Sequence, residues 1–220
     1  MGYRSIKMID PKTVLILVPT IDGRVESGFS GGLASCAGSG MFGGIEFMEG
    51  CSEISLARNL LVHKFLQSEF EWCVFIDSDI RFGAEDFRLL MDYPQSREDH
   101  NPDAPMYEVV CAEYSRKVDT LDPARFGLGF TRIHRTAFLK LKAADDDEGT
   151  PRVGEFIHQG NLISHFFPSG PGFNNIWYGE DGGFFFLCHL VGVTIRIEQR
   201  TKLVHMGRRA FPYVGVTGAN

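Results

Sequence analysis

Two uninterrupted apolar runs constrain this chain more than any other feature. The first is TVLILVPT at 13–20, aliphatic until Pro19 ends it. The second is WCVFID at 72–77. A strand with one wet face alternates apolar and polar residues. A continuous run is dry on both faces, as in a central strand of a parallel sheet covered by helices on either side. The segments around these runs carry the complementary signal. Ile54, Ala57, Leu60, Leu61 and Phe65 recur at helical spacing, which predicts a helix to about Gln67 with Ser52 or Ser55 as N-cap. GAEDFRLLMDY (83–93) reads as a short helix with acids in its first turn, where the helix dipole favours them. YEVVCAEY (107–114) is a third strand, and FGLGFTRIHRTAFLKL (126–141) a strand running into a helix. YGEDGGFFFLCHLVG (178–192) is a helix starting near Glu180 and ended by Gly192, and VTIRIE and KLVH are short closing strands. Alternating strands and helices predict an α/β fold with a mostly parallel central sheet flanked by helices, Rossmann-like in class. No repeat or linker divides it, so residues 1–220 are expected to form one domain.

The remaining stretches read as connections. The Gly-rich segment from Gly23 to Gly50 lacks the GK[ST] of a phosphate loop and is expected to be a flexible surface segment with a short helix in it. Residues 93–106 are a polar, Pro-containing loop, KAADDDEGTPR (142–152) is a solvated acidic loop, and Gly and Pro in FFPSGPGFNN (166–175) call for a loop there. No run approaches the roughly 18 apolar residues of a membrane span, and the N-terminus has neither an apolar signal core nor, with Ile6 in place of Ser or Thr, a myristoylation pattern. The five cysteines form no CxxC pair. Cys73, Cys111 and Cys188 lie in apolar stretches, as reduced thiols of a cytoplasmic protein would. A net charge of −6 argues against a nucleic-acid partner, with a local basic patch at Arg208 and Arg209 left open.

The second apolar run ends in Asp77 and Asp79. Side chains two apart on an extended segment point the same way, so both carboxylates are expected to converge beyond the strand end, at the sheet edge where open α/β folds bind ligands. Paired carboxylates repel unless a cation lies between them, and Mg²⁺ or Mn²⁺ prefers oxygen ligands and keeps positions open for substrate phosphates. The bland alternative is a pair of acids that caps the next helix or sits solvated in a turn.

Taken in order, LVPTIDGRV, SLARNLLV, VFIDSDIRF, CAEYSRK, FGLGFTRIHRTAF, YGEDGGFFFLCHLVG and KLVHMG resemble the successive motifs of GT-A glycosyltransferases of the family 2-like type found in bacteria, phages and viruses. The resemblance spans about residues 13–207, with a nucleotide-sugar half at about 13–117 and an acceptor half at about 118–207. It implies a metal-dependent transferase that moves a sugar from a nucleoside-diphosphate sugar to a glycan, protein or other hydroxyl acceptor. It implies that Asp79 binds Mn²⁺ or Mg²⁺ with His205 as a further ligand, and that Asp77 joins the metal or lies nearer the ribose. It places Pro19, Thr20 and Asp22 against the base, Arg58 near the nucleotide and Lys117 at the diphosphate. Plainer readings stand beside three of these: a strand-end histidine for His205, a surface ion-pair partner for Arg58, and a solvated lysine for Lys117.

The resemblance leaves inverting and retaining transfer both open; for an inverting transfer it implies that Asp181 is the base, with Glu180 holding the acceptor, whereas in a retaining enzyme Asp181 would not be a base. Inversion requires a carboxylate to take the acceptor hydroxyl's proton. A helix N-terminus keeps such a carboxylate ionised, although both acids also suit simple helix capping. The loop at 164–179 has glycines for movement and aromatics for stacking, and either closes over the donor or returns its phenylalanines to the core. With no membrane tail like that of polysaccharide synthases, a non-processive enzyme is expected. Two rivals remain: a non-catalytic nucleotide-sugar or glycan-binding module of the same fold, and a haloacid-dehalogenase-like phosphatase. The phosphatase normally carries its Asp-x-Asp near the N-terminus, whereas here the motif begins at 77 and runs into Ile80 and Arg81.

Overall fold

A computed structural model describes residues 9–92, 107–114, 125–145, 147–149, 152–171, 177–206 and 211–212. The first apolar run forms β1 (Val14–Pro19), and α1 (Ser27–Gly38) and β2 (Gly44–Met48) follow. Next come α2 (Ile54–Gln67), the second apolar run as β3 (Trp72–Ile76), β4 (Ile80–Arg81) and α3 (Ala84–Asp92). Further along are β5 (Val109–Tyr114), β6 (Arg125–His134), α4 (Arg135–Ala143) and a hairpin of β7 (Glu155–His158) and β8 (Asn161–Ser164). The ribbon of β9 (Gly170–Pro171) and β10 (Trp177–Tyr178), α5 (Glu180–Leu190), β11 (Ile195–Glu198), β12 (Val204–His205) and β13 (Phe211–Pro212) complete the order.

The central sheet runs β11-β5-β6-β3-β1-β2, and every neighbour pair is parallel except the two made by β6. The mostly parallel α/β expectation holds, and its cause is visible residue by residue. On β1, Leu15 and Leu17 join a core with Leu61 and Phe65 of α2, Phe138 of α4 and Phe184 of α5. Val14, Ile16 and Val18, on the opposite face, join Phe29 of α1 and Phe87 of α3. Both faces of the strand are dry, so the run has no polar position to spare.

Three local expectations are corrected. The segment from Gly23 to Gly50 is not merely a surface stretch with a short helix: it holds α1 and the edge strand β2, which pairs in parallel with β1 from Leu15↔Gly44 to Pro19↔Met48. A Cβ at Gly43 would lie 2.5 Å from the Lys12 carbonyl oxygen, so a glycine lets the chain enter the sheet edge there. The N-cap of α2 is neither Ser52 nor Ser55 but Glu53, whose carboxylate accepts from the amides of Ser55 (3.1 Å) and Leu56. The 166–175 loop contains Gly170 and Pro171, which pair with Tyr178 and Trp177. The β7–β8 hairpin turns through Gln159 (φ 48°) and Gly160 (φ 81°) and was not anticipated. The expected loop at 93–106 and the basic pair Arg208–Arg209 lie outside the described residues.

The far end of α2 is fixed by a side chain from another element. Arg135 opens α4 and donates to the carbonyls of Phe65 (2.9 Å), Leu66 (2.9 Å), Ser68 (2.6 Å) and Phe70 (2.6 Å), with its guanidinium 4.8 Å from the Phe65 ring centroid. The Leu66 carbonyl is one that a helix end leaves without an intrahelical partner, the Phe65 carbonyl also accepts from the Ser68 amide and hydroxyl, and a cation there suits the helix dipole. Arg135→Ala is expected to lower the unfolding free energy by about 1–3 kcal/mol in urea titration, since several half-buried carbonyls lose a charged donor together. Arg135→Lys is expected to recover only part, because an ammonium lacks the planar fork.

Candidate active site

Arg58 lies in the second turn of α2 and is 1% exposed. It stands on the face that meets the end of β3, with its guanidinium 5.8 Å from the Phe75 ring centroid. Three carboxylates converge on it. Nη2 bonds Asp77 Oδ1 at 2.9 Å, and Nη1 bonds Glu180 Oε1 at 3.0 Å and also Asp181 Oδ1. Asp77 is the first residue beyond β3, and Glu180 and Asp181 open α5. Arg58 Nε is buried with no hydrogen-bond partner among the described residues. Burial alone penalises the guanidinium charge, but Asp77, Asp181 and Glu180 outweigh that penalty and raise its pKa further. Arg58 is thus not a surface ion-pair partner; three carboxylates already occupy its Nη atoms.

One guanidinium faces three carboxylates, so negative charge is in excess. The excess falls on Glu180, whose pKa is raised by burial first and by the charge of Asp181 next, more than Arg58 lowers it. Tyr114, at the end of β5, is held as a neutral phenol: burial, then Asp77 and Asp181, push its pKa well above the ordinary value. Its Oη accepts from the Gly129 amide at 3.1 Å.

Two glycines of β6 let these groups meet. A Cβ at Gly127 would fall 2.6 Å from Asp181 Oδ2 and 2.6 Å from Tyr114 Oη. A Cβ at Gly129 would fall 2.7 Å from Tyr114 Oη and 2.8 Å from Asp77 Oδ2. Because β6 runs antiparallel to β3 and β5, its first half lies at the edge where those strands end.

The Asp-x-Asp pair behaves differently from the expectation. The Ile80 amide donates to the Asp77 carbonyl at 3.0 Å, so residues 77–80 form a turn rather than a continued strand. The two side chains separate. Asp77 goes to Arg58, while Asp79 Oδ1 lies 3.4 Å from Nε2 of His205. β12 pairs with β4, opposing His205 to Ile80, and the Met206 amide donates to the Asp79 carbonyl at 2.7 Å. The His205 ring meets the Tyr114 ring edge-on, 5.5 Å between centroids.

Among the described residues, no group of three or more His, Cys, Asp or Glu side chains is arranged to hold a metal ion. The Asp79–His205 pair still suits a hard cation that takes one or two protein ligands and completes its shell with water and phosphate oxygens. Asp77, with an oxygen bonded to Arg58, is not part of that pair.

The loop after β1 lies against this turn, as the Glu26 amide donates to the Ser78 carbonyl at 2.9 Å. Pro19 ends β1 beside Met48. Thr20 is buried, and its hydroxyl donates to the Arg24 carbonyl at 3.0 Å. Asp22 is exposed and accepts from the Arg24 amide at 3.1 Å. Lys117 lies outside the described residues. The expected lid at 164–179 is anchored along its first part. Phe166 and Phe167 are buried in the core, the Phe166 amide donates to Asn59 Oδ1 at 2.8 Å, and Ser55 Oγ donates to the Phe167 carbonyl at 2.5 Å. A Cβ at Gly183 would lie 1.8 Å from the Pro168 carbonyl oxygen.

No protein-family model matches the sequence, and no curated protein matches it. Among solved structures, A197 from STIV is similar over 94% of this chain and 97% of its own, with a TM-score of 0.53 and 14% identity. The likeness is one of fold. A glycosyltransferase involved in the glycosylation of the major capsid of PBCV-1 aligns over 57% of this chain and 62% of its own, at 11% identity and a TM-score of 0.38, too low a similarity to build on.

Arg58→Ala is expected to cost about 2–3 kcal/mol at neutral pH, less than for a fully buried pair, because it leaves three half-buried carboxylates facing one another without their shared cation. That loss should shrink as pH falls and the carboxylates take up protons, as urea titrations at several pH values would register. Glu180 gives a second signature. Its folded-state pKa is raised, so its contribution is fully present below the ordinary carboxylate value and is lost as pH rises through the elevated one. Glu180→Gln is expected to remove that downward step from the stability–pH profile.

Proposed function

We propose that the chain is a glycosyltransferase that moves a sugar from a nucleoside-diphosphate sugar to an acceptor hydroxyl, with inversion at the anomeric carbon. The observation that carries this reading is the gathering of Asp77, Glu180 and Asp181 around Arg58, beside the Asp79–His205 pair, at the carboxyl edge of a mostly parallel sheet. Ligands bind at that edge in such folds. No helix among the described residues is long and apolar enough to cross a membrane, and all five thiols are free, as suits a reducing cytoplasm.

In this reading residues 13–117 form the donor half and residues 118–207 the acceptor half of one domain. Pro19, Thr20 and Asp22 flank the base, on a loop tied to the acidic turn. Lys117 approaches the diphosphate. Asp79 and His205 would hold Mn²⁺ or Mg²⁺, which would supply charge to offset that on the departing nucleoside diphosphate. Asp181 is the base. It has the most exposed side chain of the three carboxylates, at 34%, and its Oδ1 engages Arg58 while Oδ2 lies over Gly127. The acceptor oxygen bonds to the anomeric carbon, the bond from that carbon to the diphosphate oxygen breaks, and the acceptor proton passes to Asp181. Arg58 sets the position of Asp181 and Asp77, and Glu180 takes a hydrogen bond from the acceptor.

A panel of nucleoside-diphosphate sugars, tested by thermal shift with and without Mn²⁺, is expected to contain a donor whose stabilisation depends on the metal and disappears in Asp79→Ala. With that donor, Asp181→Asn is expected to lower kcat roughly 10²- to 10⁴-fold, the range of a lost general base. If no nucleotide sugar stabilises the protein in the presence of Mn²⁺, the transferase reading is wrong.

A further inference from the structure

Tyr114 ends β5 and is 7% exposed. Its ring meets that of His205, and its hydroxyl reaches the carboxylate cluster. The glycines of β6 define where that hydroxyl lies. Oη and Asp181 Oδ2 are both 2.6 Å from the point that a Gly127 Cβ would take. Oη and Asp77 Oδ2 are 2.7 and 2.8 Å from the point that a Gly129 Cβ would take. These are the carboxylate oxygens that Arg58 leaves free, since it bonds Asp77 and Asp181 through Oδ1 of each. A phenol hydroxyl has one proton to give and lone pairs that accept. Among the described residues its hydrogen bond is the one it accepts from the Gly129 amide, at 3.1 Å. The proton remains to be given, and a hydrogen bond to an ionised acceptor is stronger than one between neutral groups.

The guanidinium decides which carboxylate gains more from that proton. Asp77 has Nη2 to itself, while Asp181 shares Nη1 with Glu180. Asp77 is also tied through its backbone: its amide donates to the Gly129 carbonyl at 2.9 Å, and its carbonyl accepts from the Ile80 amide at 3.0 Å. Asp181 stands in the first turn of α5 beside a second acid and has the most exposed side chain of the three. The less firmly held acid, with more negative charge next to it, benefits most from a further donor.

We propose that Tyr114 is a positioning residue for the base: its hydroxyl donates to Oδ2 of Asp181 and, with Arg58 on Oδ1, fixes the direction in which that carboxylate meets the acceptor hydroxyl. Donors on both oxygens hold a carboxylate plane that a single donor leaves free to turn. The phenol keeps its proton throughout. The acceptor's proton goes to the remaining lone pair of Asp181 Oδ2, and Tyr114 stays neutral before and after. The inference rests on the transferase reading and adds the residue that aims its base.

Tyr114→Phe removes the hydroxyl and keeps the ring beside His205. It also leaves the Gly129 amide without its acceptor, a cost that is the same whatever stands at 181 and cancels in a double-mutant cycle. In urea titrations of the whole chain, Tyr114→Phe is expected to lower the folding constant roughly 10-fold or more. That loss is expected to shrink about 10-fold in the Asp181→Ala background and to persist in the Asp77→Ala background. A loss that Asp181→Ala leaves unchanged, or that Asp77→Ala relieves instead, overturns the proposal. Turnover supplies a second readout, one that a merely structural tyrosine would not move in the same way. The probe is the nucleotide sugar that gives the Mn²⁺-dependent thermal shift, hydrolysed with water in the place of the acceptor. Tyr114→Phe is expected to lower kcat roughly 10- to 10²-fold, the cost of a misaimed group, with KM for the nucleotide sugar within about twofold. It is expected to add little to Asp181→Asn, since the two act as a unit. An unchanged kcat, or a rise in KM alone, overturns the proposal. Turnover without coupling between Tyr114 and Asp181 removes the role of Tyr114 and leaves the transferase reading standing. Coupling with no nucleotide sugar turned over removes the transferase reading, and the proposal with it.

Discussion

A single buried guanidinium organises the carboxyl edge of the central sheet. Arg58 draws together Asp77 from the end of β3 and Glu180 and Asp181 from the start of α5. A buried ion cluster is poor evidence of stability, because desolvation offsets much of the attraction. It is better understood as a device of position: three acids that would repel one another are held within reach of one point. The supporting features serve the same end. Arg135 fixes the C-terminal end of the helix that carries Arg58, and Gly127 and Gly129 leave the space into which the carboxylates and Tyr114 project.

Much of this was legible in the sequence, for identifiable reasons. β1 and β3 are apolar on both faces, so their class followed from composition alone. The extent of α2 followed from its apolar spacing, and the acids opening α5 followed from their place before an aromatic run. The burial of Arg58 was not legible, because Ser55 and Asn59 lie with it on α2 and three polar residues on a helix normally mark its wet face. All three are buried instead, and their partners are distant in sequence: Asp181 is 123 residues from Arg58, and Phe167 is 112 from Ser55. One signal could have pointed there. Alternating glycines within a strand, as in FGLGF, mark a close approach by another group. The edge strand β2 and the β7–β8 hairpin gave weaker signals. β2 has no fully buried residue, and the hairpin turns on Gln-Gly rather than the usual Asn-Gly.

The separation of Asp77 from Asp79 changes how the acidic motif works. An extended segment would aim both carboxylates at one ion. The turn at 77–80 gives each a separate partner, one cationic and one imidazole. The motif thereby joins two neighbouring places in the fold: the carboxylate cluster around Arg58, and the strand pairing that delivers His205.

Residues 166–168 touch both helices that matter. Ser55 and Asn59 of α2 bond this segment on one side, and on the other the Pro168 carbonyl oxygen packs into the space that Gly183 of α5 leaves by having no Cβ. The helix bearing the guanidinium and the helix bearing Glu180 and Asp181 are therefore braced through the same three residues. Such a frame has little slack to take up when a ligand arrives. In a transferase of the proposed kind, such a frame would meet much of the reorganisation of these charges during folding, at a cost to the stability of the fold rather than to the barrier of reaction.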